Sequence, residues 1–435
     1  MTLLTSSIRS ASIAWVLTLT SLGLLSCHKD EVTNDAGVFL SREVLWRYDR
    51  IHGGRPTAIG NIDANLVFGD LVVVAGADDT PTSKLIALDA YSGAARWTWS
   101  DLQGSRDTEG VGIISYARSG DTIVYTAGSR IYAIDITSGE TVWRERDLAV
   151  PFSPNDMQGA NGHFYGMACS PQLPTRCVET VHRGDFARAG GVEEVIVPAH
   201  PIDSFVAGYS TDVTTFEILP PPHDHKAIVV YHQGVAGDRY AVEFAAYFGL
   251  YDLRAGAWDY ANVRLGTKTD PVSSVGTPAR YADGDIFISV REDLFCYEAL
   301  TGEMKWAYEL PSEVFTSGIT IAEGLCLANC EDRRLYGLDA ATGQRLWDVE
   351  SAQIGSPIHE RVLDGVVYWV GGSDKSLFAA DIRTGELVWK LDAERMIKGA
   401  PYFNVFLAAV PGRGGEPGRI IAHAGEEVIC LEAHR

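Results

Sequence analysis

Five thirteen-residue segments of this chain align without a gap: residues 85–97, 131–143, 294–306, 335–347 and 377–389. Each runs from a short apolar stretch to an acidic residue, then Ser or Thr, then Gly, and ends on Trp. That order is the chemistry of a β-hairpin. A carboxylate accepts bonds from turn amides, Gly supplies the positive φ, and a second strand leads on to the ring. A unit of this kind cannot bury its apolar face alone, so the copies must stack on one another.

The spacing is fixed. A small residue (Ala87, Ala133, Cys296, Gly337 or Ala379) is followed two positions later by the acid. Six positions after the small residue comes the glycine (Gly93, Gly139, Gly302, Gly343 or Gly385), and ten after it the tryptophan (Trp97, Trp143, Trp306, Trp347 or Trp389). The small residue leaves flat backbone exposed, and the Trp supplies a flat ring of large area. Upstream of each hairpin lies a second strand pair with its own turn, as at Asp283-Gly284, Glu323-Gly324 and Asp364-Gly365. Four strands per unit is the blade count of a propeller, and no stretch sustains a helical period. The fold class expected is all-β, a single β-propeller of four-stranded blades.

Hairpin tryptophans recur at intervals of 51, 46, 48, 41 and 42 residues, within the period of propeller repeats. Trp258 closes a worn copy, residues 252–258, in which two positions between Gly and Trp look lost. The blade before it, around residues 145–200, has no recognisable signature. Counting it gives eight blades; seven result if residues 144–258 hold one blade and a large insertion. The ends complete each other. Residues 427–432 match the first half of the hairpin and then the sequence stops at Arg435, while Trp46 ends a strand with no hairpin before it. N- and C-terminal strands sharing one blade would close the ring and remove its free edges.

The pairing of small residue, Gly and Trp resembles the tryptophan-docking motif of PQQ-like, quinoprotein-type propellers. The resemblance covers residues 42–435 and implies that Trp46, Trp97, Trp143, Trp258, Trp306, Trp347 and Trp389 pack between neighbouring blades. Two groups share this repeat. Quinoprotein dehydrogenases hold PQQ and calcium over the ring centre, whereas lipoproteins like the propeller subunit of the outer-membrane β-barrel assembly machinery bind protein partners. The chain lacks the vicinal Cys-Cys pair of many such dehydrogenases, and no Asp, Asn or Glu aligns with their metal-ligand or base roles. The expectation is therefore a non-catalytic interaction module with no cofactor. The alternative is a PQQ- and calcium-dependent dehydrogenase acting on an alcohol or sugar.

Residues 1–26 read as an export signal, with Arg9 ahead of an uncharged apolar run over 13–25. The run ends Leu24-Leu25-Ser26-Cys27, which resembles a lipobox and makes Cys27 the expected lipid-bearing residue. Residues 27–41 follow as a tether, and His28-Lys29-Asp30-Glu31 resembles a surface-export tag. The expected place is the outer membrane, at its periplasmic face or the cell surface, with a monomeric propeller held to the membrane by its anchor.

Formal charge is −21, and loss of residues 1–26 removes only Arg9, leaving −22. Charge of that sign disfavours nucleic acid and anionic lipid as main partners. Two further clusters are chemically suggestive. His223, His225 and His232 could offer imidazoles to Zn²⁺ or Cu²⁺, although their spacing equally suits an exposed loop entering a strand. Cys169 and Cys177 bracket a Pro-containing loop suited to a disulfide. Cys296 and Cys430 share one repeat position and read as small buried thiols. The irregular region 151–222, with Arg176, Arg183 and Arg188, is the expected place for envelope protein partners.

Overall fold

A computed structural model describes residues 43–48, 67–77, 83–101, 116–127, 130–145, 152–169, 179–197, 211–236, 242–265, 278–351, 360–371, 376–397, 403–425 and 427–433. Cys27, the tether, Arg176 and Cys177 lie outside these residues, and with them the proposed anchor and disulfide.

The described strands form eight four-stranded antiparallel sheets. We number the blades along the chain. Blade 1 spans residues 67–99, blade 2 117–145, blade 3 152–196, blade 4 211–265, blade 5 280–309, blade 6 314–350 and blade 7 361–391. Blade 8 takes three strands from residues 403–432 and its fourth from Val44–Tyr48. The count is eight, and the ends of the chain share a blade. First strands of successive blades abut one another, which puts them at the axis and the fourth strands at the rim.

Blade geometry follows from the repeat. The first turn of blades 5, 6 and 7 places both central residues at positive φ: Asp283 and Gly284, Glu323 and Gly324, Asp364 and Gly365. Two such residues make the primed turn whose twist suits a two-residue hairpin. The second hairpin carries a register shift at one constant place, between Ala87 and Leu88, Ala133 and Ile134, Cys296 and Tyr297, Gly337 and Leu338, and Ala379 and Ala380. A bulge there adds local twist, while the strand pleat sends alternate side chains toward opposite neighbouring blades. Thus Cys296 packs toward blade 6, whereas Phe295 and Tyr297 pack toward blade 4.

The core consists of these inter-blade layers rather than one central mass. The N-terminal strand pairs antiparallel with Glu427–Glu432, setting Trp46 opposite Cys430 as Trp97 stands opposite Ala87. Among the described residues one helix occurs, the single turn Ala393–Met396 capped by Asp392, and none is long and apolar enough to cross a membrane.

Candidate functional site

The repeated residues meet at the blade interfaces. Each hairpin Trp stands cross-strand from the small residue of its own blade: Ala87 with Trp97, Ala133 with Trp143, Cys296 with Trp306, Gly337 with Trp347, Ala379 with Trp389. The other face of the ring lies on the glycine of the next blade. A Cβ at Gly93 would fall 2.6 Å from the Trp46 ring, at Gly139 2.5 Å from Trp97, at Gly343 2.6 Å from Trp306, and at Gly385 2.7 Å from Trp347. The indole N–H then donates to the carbonyl one residue beyond the acid. Trp46 reaches Ala90 at 3.0 Å, Trp97 Ile136 at 2.8 Å, Trp143 Phe186 at 2.7 Å, Trp306 Ala340 at 2.9 Å and Trp347 Ile382 at 2.9 Å. Ring area and a directed bond together make this a latch from each blade to the next.

The acid builds the turn that presents the glycine. Asp89 accepts from the Tyr91 and Ser92 amides and the Ser92 hydroxyl, while Gly93 N–H closes onto the Asp89 carbonyl at 2.8 Å. Burial alone would raise the Asp89 carboxyl, but the bonds from Arg96, Ser92 and Tyr91 outweigh it and hold the group at about 2. Asp135 is held low chiefly by the Thr137 hydroxyl, Asp339 by the Thr342 hydroxyl and Asp252 by the Ala255 amide. At Asp381 burial again pulls upward and the Thr384 amide and hydroxyl prevail.

Blade 4 corrects the sequence expectation. Trp258 does not dock on blade 5; it stands cross-strand from Tyr251 and packs edge-on against Tyr251 and Tyr231, within the cluster shared with blade 3. The docking position belongs to Tyr260, eight residues after Asp252 as Trp97 is eight after Asp89. Its hydroxyl donates to the Ala299 carbonyl at 2.8 Å, and a Cβ at Gly302 would lie 2.9 Å from its ring. No residues were lost: the spacing Asp252, Gly256, Tyr260 is intact, and attention to Trp alone hides it.

Blade 3 carries the signature in substituted form. Asp185 is its acid, since Trp143 docks at Phe186, the next residue. Its small position is Arg183 and its ring position Glu193, still cross-strand partners and joined as an ion pair. Arg188 pairs with Asp185. Two of the three expected basic anchors are therefore engaged within the blade.

A second set of ties runs along the axis. Gln158 holds blade 4 twice, donating to the Phe216 carbonyl and accepting from the Ile218 amide, both at 2.7 Å. Arg280 reaches the Ile319 carbonyl, and Arg361 the Leu407 carbonyl. Thr320 donates to Glu360, whose buried carboxyl also accepts from Asn329 at 3.0 Å. Desolvation raises that carboxyl despite these bonds. Where the ring closes, a clamp is added: Tyr91 donates to the Pro411 carbonyl and Arg413 lies 4.0 Å above the Tyr91 ring.

The histidines do not converge. His223 and His225 sit in the turn over Pro220–His225, whereas His232 lies seven residues further along an extended strand, about 23 Å away at ~3.3 Å per residue. Among the described residues no three His, Cys, Asp or Glu side chains could hold a metal. Cys296 and Cys430 are buried free thiols, each pushed up by burial to about 12.

Eight blades, one latch chemistry and a shared terminal blade define a closed β-propeller of the quinoprotein type. The chain belongs to the family described as "Outer membrane protein assembly factor BamB", which it matches over residues 40–158 and 255–434. The unmatched middle coincides with most of blades 3 and 4. No curated protein matches the chain. Among solved structures it resembles a quinohemoprotein alcohol dehydrogenase from Comamonas testosteroni, at 13% identity over 91% of this chain and 77% of that one (TM-score 0.59). It also resembles BamB from Moraxella catarrhalis, at 14% identity over 84% and 97% (TM-score 0.51). The computationally designed protein Ika8 is similar too, at 13% identity over 92% and 98% (TM-score 0.52). At such identities the likeness establishes the fold alone.

Proposed function

We propose that this chain is an exported propeller, lipidated at Cys27, which binds other proteins at the outer membrane and performs no chemistry of its own. One observation carries the reading. The repeated acids build the turns and six repeated aromatic residues each latch onto the next blade, so the repeat is accounted for by the assembly of the ring. The family description supports an assembly role at the outer membrane. Net charge of −21 supports a protein partner over nucleic acid or anionic lipid. In this reading the propeller is monomeric and takes no cofactor.

The test is affinity capture of the tagged full chain from its native envelope after crosslinking, with Cys27→Ala in parallel. The expected result is a specific envelope protein and release of the C27A chain from the membrane fraction. Calcium-dependent PQQ titration that produced saturable, dye-linked alcohol or sugar oxidation would overturn the reading in favour of a quinone-dependent dehydrogenase.

A further inference from the structure

Blades 1 to 7 each have a complete second hairpin, and in six of them the carbonyl beyond the acid receives an aromatic donor from the preceding blade. The acceptors are Ala90, Ile136, Phe186, Ala299, Ala340 and Ile382. Blade 4 is the seventh, and its turn is built to the same pattern. Asp252 accepts from the Arg254 and Ala255 amides at 2.8 Å, Gly256 N–H closes onto the Asp252 carbonyl at 2.9 Å, and Gly256 has φ +64.

What differs is the face this turn presents. Leu253 holds the acceptor position, and its amide donates to the His225 carbonyl, but no group among the described residues donates to the Leu253 carbonyl. A Cβ built at Gly256 would meet nothing nearer than the Tyr251 hydroxyl, 3.9 Å away. In blade 3 the residue in register to supply a ring is Glu193, and it turns to Arg183 instead. Nor does the chain beyond its signal hold a spare indole. Trp99 donates to Thr141, Trp369 to the Ser351 carbonyl, Trp258 packs in the blade 3–4 cluster and Trp389 in that of blades 7 and 8.

We infer that blade 4 carries an open aromatic socket, filled in trans by a tryptophan side chain on an extended segment of a partner protein. The filled sockets define the fit: in five of the six one ring face lies on the glycine, here Gly256, and in all six the donor reaches the carbonyl beyond the acid, here that of Leu253. The pair Arg254–Asp224 follows directly on Leu253 and would meet the polar backbone of the entering segment. The inference rests on the interaction-module reading and gives it a contact point.

The test uses the intact chain and a blocked pentapeptide, Ser-Val-Trp-Val-Ser, made with 5-fluorotryptophan and followed by fluorine NMR, beside its Ala twin. Two variants close the socket differently. Glu193→Trp restores the missing latch in cis, and Gly256→Asn adds a Cβ while keeping a residue tolerant of positive φ. Expected is saturable binding of the Trp peptide alone, weakened roughly tenfold or more in both variants, with E193W melting higher than the native chain. Equal binding to the native chain and both variants, or equal competition by the Ala twin, would overturn the socket. Should E193W fail to fold, G256N decides alone. Envelope capture separates the two readings. A partner retained equally by both variants sinks the socket and spares the interaction module; peptide binding with no envelope partner does the reverse.

Discussion

Blades 5 to 7 and blade 4 are built on the same turn, yet the layers among blades 5 to 7 and the layer between blades 3 and 4 are held together differently. In the regular set the rings of blades 5 and 6 land on the glycines of blades 6 and 7. Between blades 3 and 4 that direction is reversed. The donor position holds an ion pair, and most of the aromatic residues filling the layer, Phe216, Tyr231, Tyr247, Tyr251 and Trp258, come from the receiving blade, with Tyr165 from blade 3. The axial tie survives there in doubled form at Gln158, and the strands of blade 4 lengthen to 11 residues where those of blade 5 have 6. Latch and turn are thus separable. The layer between blades 3 and 4 has no latch in register, and a local aromatic cluster and Gln158 bridge it instead.

The largest test of this contrast is Trp347→Ala. Trp347 is buried, bonded to Ile382 and pressed on Gly385, so its removal should destabilise the chain by about 3–5 kcal/mol in denaturant unfolding. A loss under about 1 kcal/mol would show that the latch packs without holding. Next in size comes a matched pair, Gly385→Ala and Gly256→Ala. Both glycines have positive φ, +71 and +64, and so share a backbone penalty of about 1–2 kcal/mol. Only Gly385 also faces a ring, 2.7 Å from its new Cβ. G385A should therefore melt clearly below G256A; equal melting would erase the distinction between filled and open sockets.

Much of this architecture was legible in the sequence because a propeller writes its constraints locally. Acid, glycine and ring lie within nine residues, so five copies declared the hairpin, its period and the shared terminal blade. Two readings failed for one reason. The latch selects an aromatic ring with a polar hydrogen, which Tyr260 satisfies as well as Trp does, whereas Trp258 lies two residues early and faces blade 3. In blade 3 the register position survives while its chemistry is exchanged, Arg183 and Glu193 for a small residue and a ring. Only the pairing of strands reveals that equivalence. The open socket was not legible at all, since it depends on what the preceding blade fails to supply.

A smaller effect asks whether the turn itself differs between the two regions. Asp339 and Asp252 both have carboxyls held below the usual range by turn donors. A carboxyl whose folded value is lowered contributes stability above its unfolded value near 3.8, and that contribution fades as pH falls below it. Asp339→Asn and Asp252→Asn should each cost about 1 kcal/mol near neutrality, modest because both groups are partly exposed. The difference from the native chain should shrink as pH drops from about 4 toward 2. Melting curves across that range would show parallel behaviour if the turn is common property. A flat profile for D252N alone would mean that blade 4 has lost its turn as well as its latch.

The smallest effect belongs to the pair that replaced the ring. Arg183 and Glu193 are joined by two guanidinium bonds to one carboxylate oxygen, with side chains 30% and 61% exposed. Exposed pairs of this kind contribute about 0–1 kcal/mol and are screened by salt. A double-mutant cycle with Arg183→Ala and Glu193→Ala should return a coupling below about 1 kcal/mol that disappears near 1 M salt, where the Debye length is about 3 Å. A coupling of several kcal/mol that persisted in salt would make the ion pair a latch in its own right, equal in kind to Trp347. With a weak coupling, the pair neither holds blades 3 and 4 together nor resists a competing ring. The stability of that interface then resides in Gln158 and the blade 4 aromatic cluster.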